Sequence, residues 1–173
     1  PLRHALPTVD DLRTAAQSAY QQAEQAGLVI AGDAYDDLMI RLMDDVRRQG
    51  FDEQLHPRAN AALTRLLTEA DGQPLTLQAA DILRRVVQGA ARSLEPDEQR
   101  IAGIIRDSLD QFLENLDPAQ IMAGDAQAGV AALQEARGLW ARMRKTELLE
   151  DLEFRARNAV GANYTQAGLE TAT

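Results

Sequence analysis

The chain contains no cysteine, so neither a disulfide nor a thiolate metal site is available to it. Aromatic residues make up only 4% of its 173 residues, with a single tryptophan, which excludes a large, bulky interior. Alanine supplies much of the hydrophobic content, so the expected core is thin and built on close helix approach. No apolar run approaches the roughly 20 residues that span a bilayer. Strand signals are nearly missing as well, since valine, isoleucine and threonine never alternate with polar residues over a useful length. One lysine and 17 arginines stand against 27 acids, leaving a net charge of −9. Proteins that sheathe nucleic acid gain affinity by releasing counterions through clustered cations, so this balance argues against such a role for the whole chain.

Chemistry-bearing motifs are also lacking. No serine sits in a GxSxG turn, and no GxxxxGK[ST] or GxGxxG loop is present to cradle phosphates. A metal site or general base needs convergent partners, yet His4 and His56 stand in no HxxxH or HxxE spacing. Carboxylates cluster at Asp33, Asp36 and Asp37, at Asp44 and Asp45, and at Glu147, Glu150, Asp151 and Glu153. Paired carboxylates can hydrolyse glycosides or hold a divalent cation. Their spacing here puts most of them off the apolar stripes, where solvated faces belong. The sequence thus supplies no catalytic, cofactor-binding or metal-binding residue, and an enzyme is not expected.

What the chain does have is helical spacing almost throughout. The pattern predicts an all-α fold of about six helices, a bundle with one long C-terminal helix. Thr8 should cap the first helix, with Asp11 completing a capping box and Gly27 ending it. Asp33 should open the second, whose inner face carries Tyr35, Leu38, Met39, Leu42, Met43 and Val46, and Gly50 should close it. Pro57 suits the first turn of a short third helix bearing Leu63, Leu66 and Leu67, stopped by Gly72. Thr76 should cap a fourth with Leu83, Val86 and Val87 inward. Beyond Pro96 a fifth carries Ile101, Ile104, Ile105, Leu109, Phe112, Leu113 and Leu116, stopped by Pro118. The tetrapeptide AGDA occurs at residues 31–34 and 123–126, and each copy reads as turn plus N-cap. A division near residue 72 would separate an N-terminal unit of about three helices (1–72) from a C-terminal unit (73–173), unless both join in one bundle.

From about 125 to 160 the helical pattern runs without proline, a rod of roughly 50 Å at 1.5 Å per residue. The following GANYTQAGLETAT reads as a loop, with a new helix starting near Thr165. Opening on Pro1 and closing on LETAT, the sequence is compatible with a piece of a longer polypeptide. Within the long helix, Arg137, Arg142, Arg144 and Lys145 surround Trp140. Leu133, Ala136, Trp140 and Met143 share a face, so Trp140 is expected to point inward, with the stems of Arg137 and Arg144 beside it. Arg144 with Glu147, Asp151 with Arg155, and Glu153 with Arg157 have the spacing of intrahelical ion pairs. Arg137, Arg142 and Lys145 have no such mate. The order of one acid, four bases, four acids and two further bases suits docking on another charged helix, within or between subunits. Arg137, Trp140, Arg142, Arg144 and Lys145 are therefore the candidate interaction surface. Gripping phosphate would use the same cations.

AGDAQAGVAALQEARGLWARMRKTELLEDLEFRARNAVGANYTQAGLETA, together with PLTLQAADILRRVVQGAARSLEPDEQRIAGIIRDSLDQFL upstream, resembles a virion-protein family of tailed bacteriophages and prophages. The resemblance covers about residues 74–172. It implies a non-enzymatic component of the virion, in the head interior, at the connector or ejected. Its location would be the virion, and the host cytoplasm during assembly. Partners would be other virion proteins and further copies of the chain, with DNA contact through the basic patch as the alternative. Members continue past LETA into arginine-rich sequence, and the resemblance brings no catalytic residues or cofactors.

Overall fold

The computed structural model describes residues 8–122 and 125–170, and for residues 9, 126 and 162–170 the backbone alone. Six helices dominate: α1 (Val9–Gln25), α2 (Gly32–Arg48), α3 (Pro57–Glu69), α4 (Leu77–Ala91), α5 (Pro96–Glu114) and α6 (Ala126–Glu170). The all-α bundle with a long last helix is therefore the observed architecture. α1 lies along α6 and α4 along α5, while α3 packs on both α4 and α5 and α2 leans on α5. One buried cluster takes in side chains from Leu12 on α1 to Met143 on α6.

Local chemistry sets most helix ends. Thr8 and Asp11 form the reciprocal capping box at the start of α1, satisfying amides the helix itself leaves bare. The Thr76 hydroxyl caps α4, and the Asp125 carboxylate accepts the amides of Gln127 and Ala128 at the start of α6. Gly27 follows α1 with φ 78°, a left-handed turn that costs glycine little. The start of α3 is capped from a distance. Glu98 of α5, itself buried, accepts the amides of Arg58 and Ala59 and the hydroxyl of Ser93. A carboxylate there faces the positive end of the helix dipole.

The structure departs from the sequence reading at several points. Among the described residues three two-residue strands exist: β1 (Val29–Ile30), β2 (Leu75–Thr76) and β3 (Ile121–Met122). They form an antiparallel sheet in the order β2-β1-β3, with Val29 opposite both Thr76 and Met122. Each strand lies in the link before an even-numbered helix, so the sheet ties three helix connections together. Two residues are too few to show alternation, which is why no strand was expected. Ala31, not Asp33, is the N-cap of α2, and the Asp33 carboxylate accepts only the neighbouring Ala34 amide. Leu67 and Val86, expected inward, are exposed at the edges of their stripes. α5 ends at Glu114, ahead of Pro118, which instead begins a 3-10 turn (Pro118–Gln120). α6 runs on through the tail read as a loop, because one glycine at Gly161 weakens a helix by only about 1 kcal/mol. His4 and Gly124 lie outside the described residues.

The N-terminus of α2 is wedged against the loop that follows α3. A Cβ on Gly32 would sit 2.7 Å from the Gly72 carbonyl carbon and closer still to its oxygen. Both partners are backbone, so neither can rotate away. Gly32→Ala is expected to cost about 2–3 kcal/mol, as overpacking of a tight contact does. Urea unfolding followed by circular dichroism measures it, and an unchanged midpoint would contradict this packing.

Candidate functional site

α6 has two halves with different surroundings. Up to Glu147 it is docked: Leu133, Ala136, Leu139, Trp140 and Met143 are buried, and the Trp140 indole meets the Tyr20 ring of α1 at 4.5 Å between centroids. Burial is so complete that the Tyr20 phenol is pushed far above its ordinary pKa and stays neutral. Neither Tyr20 Oη nor Trp140 Nε1 has a hydrogen-bond partner among the described residues, so ring packing sets their orientation. Past Glu147, every residue from 148 to 161 is exposed. Leu148, Leu149, Leu152, Phe154 and Val160 each show more than half of their surface to water.

The five residues of the candidate surface divide between these settings. Trp140 is in the core. Arg137 turns back to α5, donating to the carbonyls of Glu114 (2.6 Å) and Leu116 (2.8 Å). It thereby satisfies carbonyls that the end of α5 leaves without partners, and places a cation at the negative end of its dipole. Arg144 also reaches α5, with Nη2 2.8 Å from Glu114 Oε2 and Nε 2.6 Å from Oε1. This corrects the expected Arg144–Glu147 pair: each finds its partner on another helix, because both sit on the flank that α5 and α4 cover. Asp151–Arg155 and Glu153–Arg157 do form along the helix, at 2.9 and 3.8 Å. Arg142 and Lys145 are exposed, and their side chains make no ion pair or hydrogen bond among the described residues.

A buried charged knot holds the docked half, and none of it was anticipated. Arg84 of α4 and Asp110 of α5 are each 2% exposed and bonded Nε to Oδ1 at 2.8 Å. The other arm of Arg84 reaches Glu147 Oε2 at 3.2 Å, where Gln88 also donates. One guanidinium therefore ties α4, α5 and α6 together. Burial pushes the Asp110 carboxyl above its usual range, and the nearby Arg84 cation only partly restores it. Burial pulls the Arg84 pKa down, but Asp110 and Glu147 outweigh it and hold the guanidinium charged. Asp81, also on α4, is likewise raised by burial despite its 2.7 Å pair with Arg85.

The signal for this knot lies in the sequence. Arg84 falls at the centre of the stripe formed by Leu77, Ala80, Asp81 and Val87, and Glu147 continues the spacing of Ala136, Trp140 and Met143. His56 is buried too, with Nε2 2.6 Å from Asp97 Oδ2 and Nδ1 receiving the Asp52 amide at 3.0 Å. The Nε2 hydrogen bond, with help from Arg100, holds Asp97 below the ordinary carboxylate range. Both ring nitrogens of His56 are occupied in tethering the loop before α3 to the start of α5. Among the described residues, no three His, Asp or Glu side chains are grouped so as to hold a metal ion. A shallow, open depression between α2 and the 3-10 turn is lined by Asp33, Asp37, Ile40, Arg41 and Gln120.

Arg84→Met is expected to cost about 3–5 kcal/mol at neutral pH, because it leaves Asp110 buried without its cation. The sign of the pH dependence follows from Asp110. A carboxyl whose folded pKa lies above its unfolded value adds stability at low pH, lost as pH rises through the folded value. Without Arg84 its pKa rises further, so the gap between the variant and the parent should narrow between pH 7 and pH 4.5. Urea denaturation of both proteins at the two pH values tests this, and a gap that widened on acidification would contradict it.

Comparison with known proteins finds no matching family model, no matching curated protein and no solved structure with a matching fold.

Proposed function

We propose that this chain is a non-enzymatic helical assembly protein whose working surface is the outer half of α6. The observation that carries the reading is a helix that continues past Glu147, its last anchored residue among those described, with leucines in water. Leu148, Leu149 and Leu152 recur within four residues of one another at more than half exposure, an apolar patch that contributes nothing to the chain's own core. Contiguous exposed apolar surface of this kind is typical of protein–protein contacts. The resemblance to tailed-phage proteins supplies the setting: a structural component of a virion, bound to other virion proteins through helix–helix contacts.

The DNA-binding alternative is weaker on this geometry. Two of its four cations, Arg137 and Arg144, are engaged with α5, leaving Arg142 and Lys145 on a chain of net charge −9. A pair of isolated cations gives little of the counterion release that drives phosphate binding.

Leu149→Glu combined with Leu152→Glu should leave folding intact, since both side chains are outside the core. The substituted protein should be lost from purified particles, as read by quantitative mass spectrometry. Incorporation at the parental level would overturn the reading.

A further inference from the structure

We infer that the outer face of α6 pairs with the same face of a second copy of this chain, antiparallel, about a twofold axis beside Glu147. The inference rests on the assembly reading above and names its partner.

Two stripes run along α6, each with the alternating three- and four-residue spacing of a helix–helix seam. Leu133, Ala136, Trp140, Met143 and Glu147 form the docked stripe. Arg142, Lys145, Leu149, Leu152, Ala156 and Ala159 form the second, exposed at every position. At 100° per residue the two lie on roughly opposite sides of the helix. The body of the protein is therefore behind the free stripe, and another helix can approach it without meeting the bundle.

Charge selects the occupant and its direction. On the free stripe and its edge the exposed charges run Glu135, Arg142, Lys145, then Glu153, with Glu150 and Arg157 farther round the helix and Asp151 and Arg155 on its other flank. This order reverses sign about the point next to Glu147. Laying a second copy antiparallel across that point sets Arg142 against the partner's Glu153, and Glu153 against the partner's Arg142. Lys145 faces the turn bearing the partner's Glu150, and Glu135 comes within a turn of the partner's Arg157. A parallel pairing would instead set Arg142 and Lys145 against their own copies, where like charges repel.

The apolar residues agree with the same operation. Leu148 and Leu149 meet their counterparts near the centre, and Leu152 falls over the aliphatic stems of the partner's Arg142 and Lys145. Ala156 falls between Gly138 and Ala141 of the other helix and Ala159 between its Glu135 and Gly138, small residues at Gly138 and Ala141 letting two backbones come close. The overlap from 135 to 160 is about 39 Å long at 1.5 Å per residue. Such a contact is isologous and closes as a dimer without leaving a free end.

Sedimentation equilibrium on the purified chain tests this. The parent protein is expected to be a dimer at tens of micromolar. R142E/K145E and E150R/E153R should each weaken it at least tenfold with unchanged helicity, and the four exchanges combined should restore it to within a few-fold. A nitroxide on Val160→Cys, in a chain with no other cysteine, should give a spin–spin distance of about 38 Å in the antiparallel pair. A monomer at these concentrations, a label distance within about 20 Å, or a fourfold variant no tighter than the double variants would overturn the inference. If the chain is monomeric yet α6 cross-links to another virion protein, the dimer fails and the assembly reading stands. A dimer that never enters particles is the reverse case.

Discussion

Arg84 is out of water, and a guanidinium there is tolerable only where carboxylates meet it. Asp110 and Glu147 come from different helices, so the demand for charge balance becomes a demand on geometry. α6 can slide along α1 with modest loss, because alanine and leucine contacts are forgiving of register. It cannot slide past Arg84 without leaving Glu147, and with it half of the compensation for a buried cation. The contacts of Arg137 and Arg144 with the end of α5 act in the same direction. A block of four bases that reads on the sequence as a surface is thus half anchor, and the anchor decides how far the helix stays on the bundle.

The fold was largely legible because it is written in local chemistry. Thr8 with Asp11, Thr76, Pro57 and Gly27 mark helix ends by mechanisms that need nothing beyond neighbouring residues, and they act as expected. The inward turn of Trp140 follows equally from spacing with Leu133 and Met143. What stayed hidden depends on contacts remote in sequence. Val29 pairs with Thr76 and Met122 only because three helix connections converge, and no two-residue segment announces that. Glu98 caps a helix about 40 residues away. Arg84 draws no notice in the sequence because sequence rules treat a charge as solvated by default. Its position inside an apolar stripe was the contrary sign, and it outranked the default. Arg144 and Glu147 had the right spacing to pair with each other, but flanking helices offered each a partner with less solvent around it.

Past Glu147 the physics of α6 changes. A free helix of about 14 residues is marginal in water, mainly because its first turn is costly to form. Here the docked half provides that turn, so each further residue needs only to propagate. Ala156 and Ala159, the leucines and two intrahelical ion pairs favour propagation, each by a small amount. Hydrophobic burial plays little part in holding up this segment, since residues 148–161 are exposed throughout. Its leucines are therefore under no requirement from the fold, and their grouping on the side away from the bundle asks for another cause. The docked half needs its apolar residues toward the bundle; in the outer half Leu149, Leu152 and Val160 lie on the reverse side and only Phe154 continues the docked stripe. The shorter helices each expose apolar residues singly or in pairs, Ile40 on α2, Leu67 on α3 and Ile82 with Val86 on α4, whereas the outer half of α6 groups three leucines within five residues. The reversal at Glu147 places the helix under two separate demands, one from within the molecule and one from outside it.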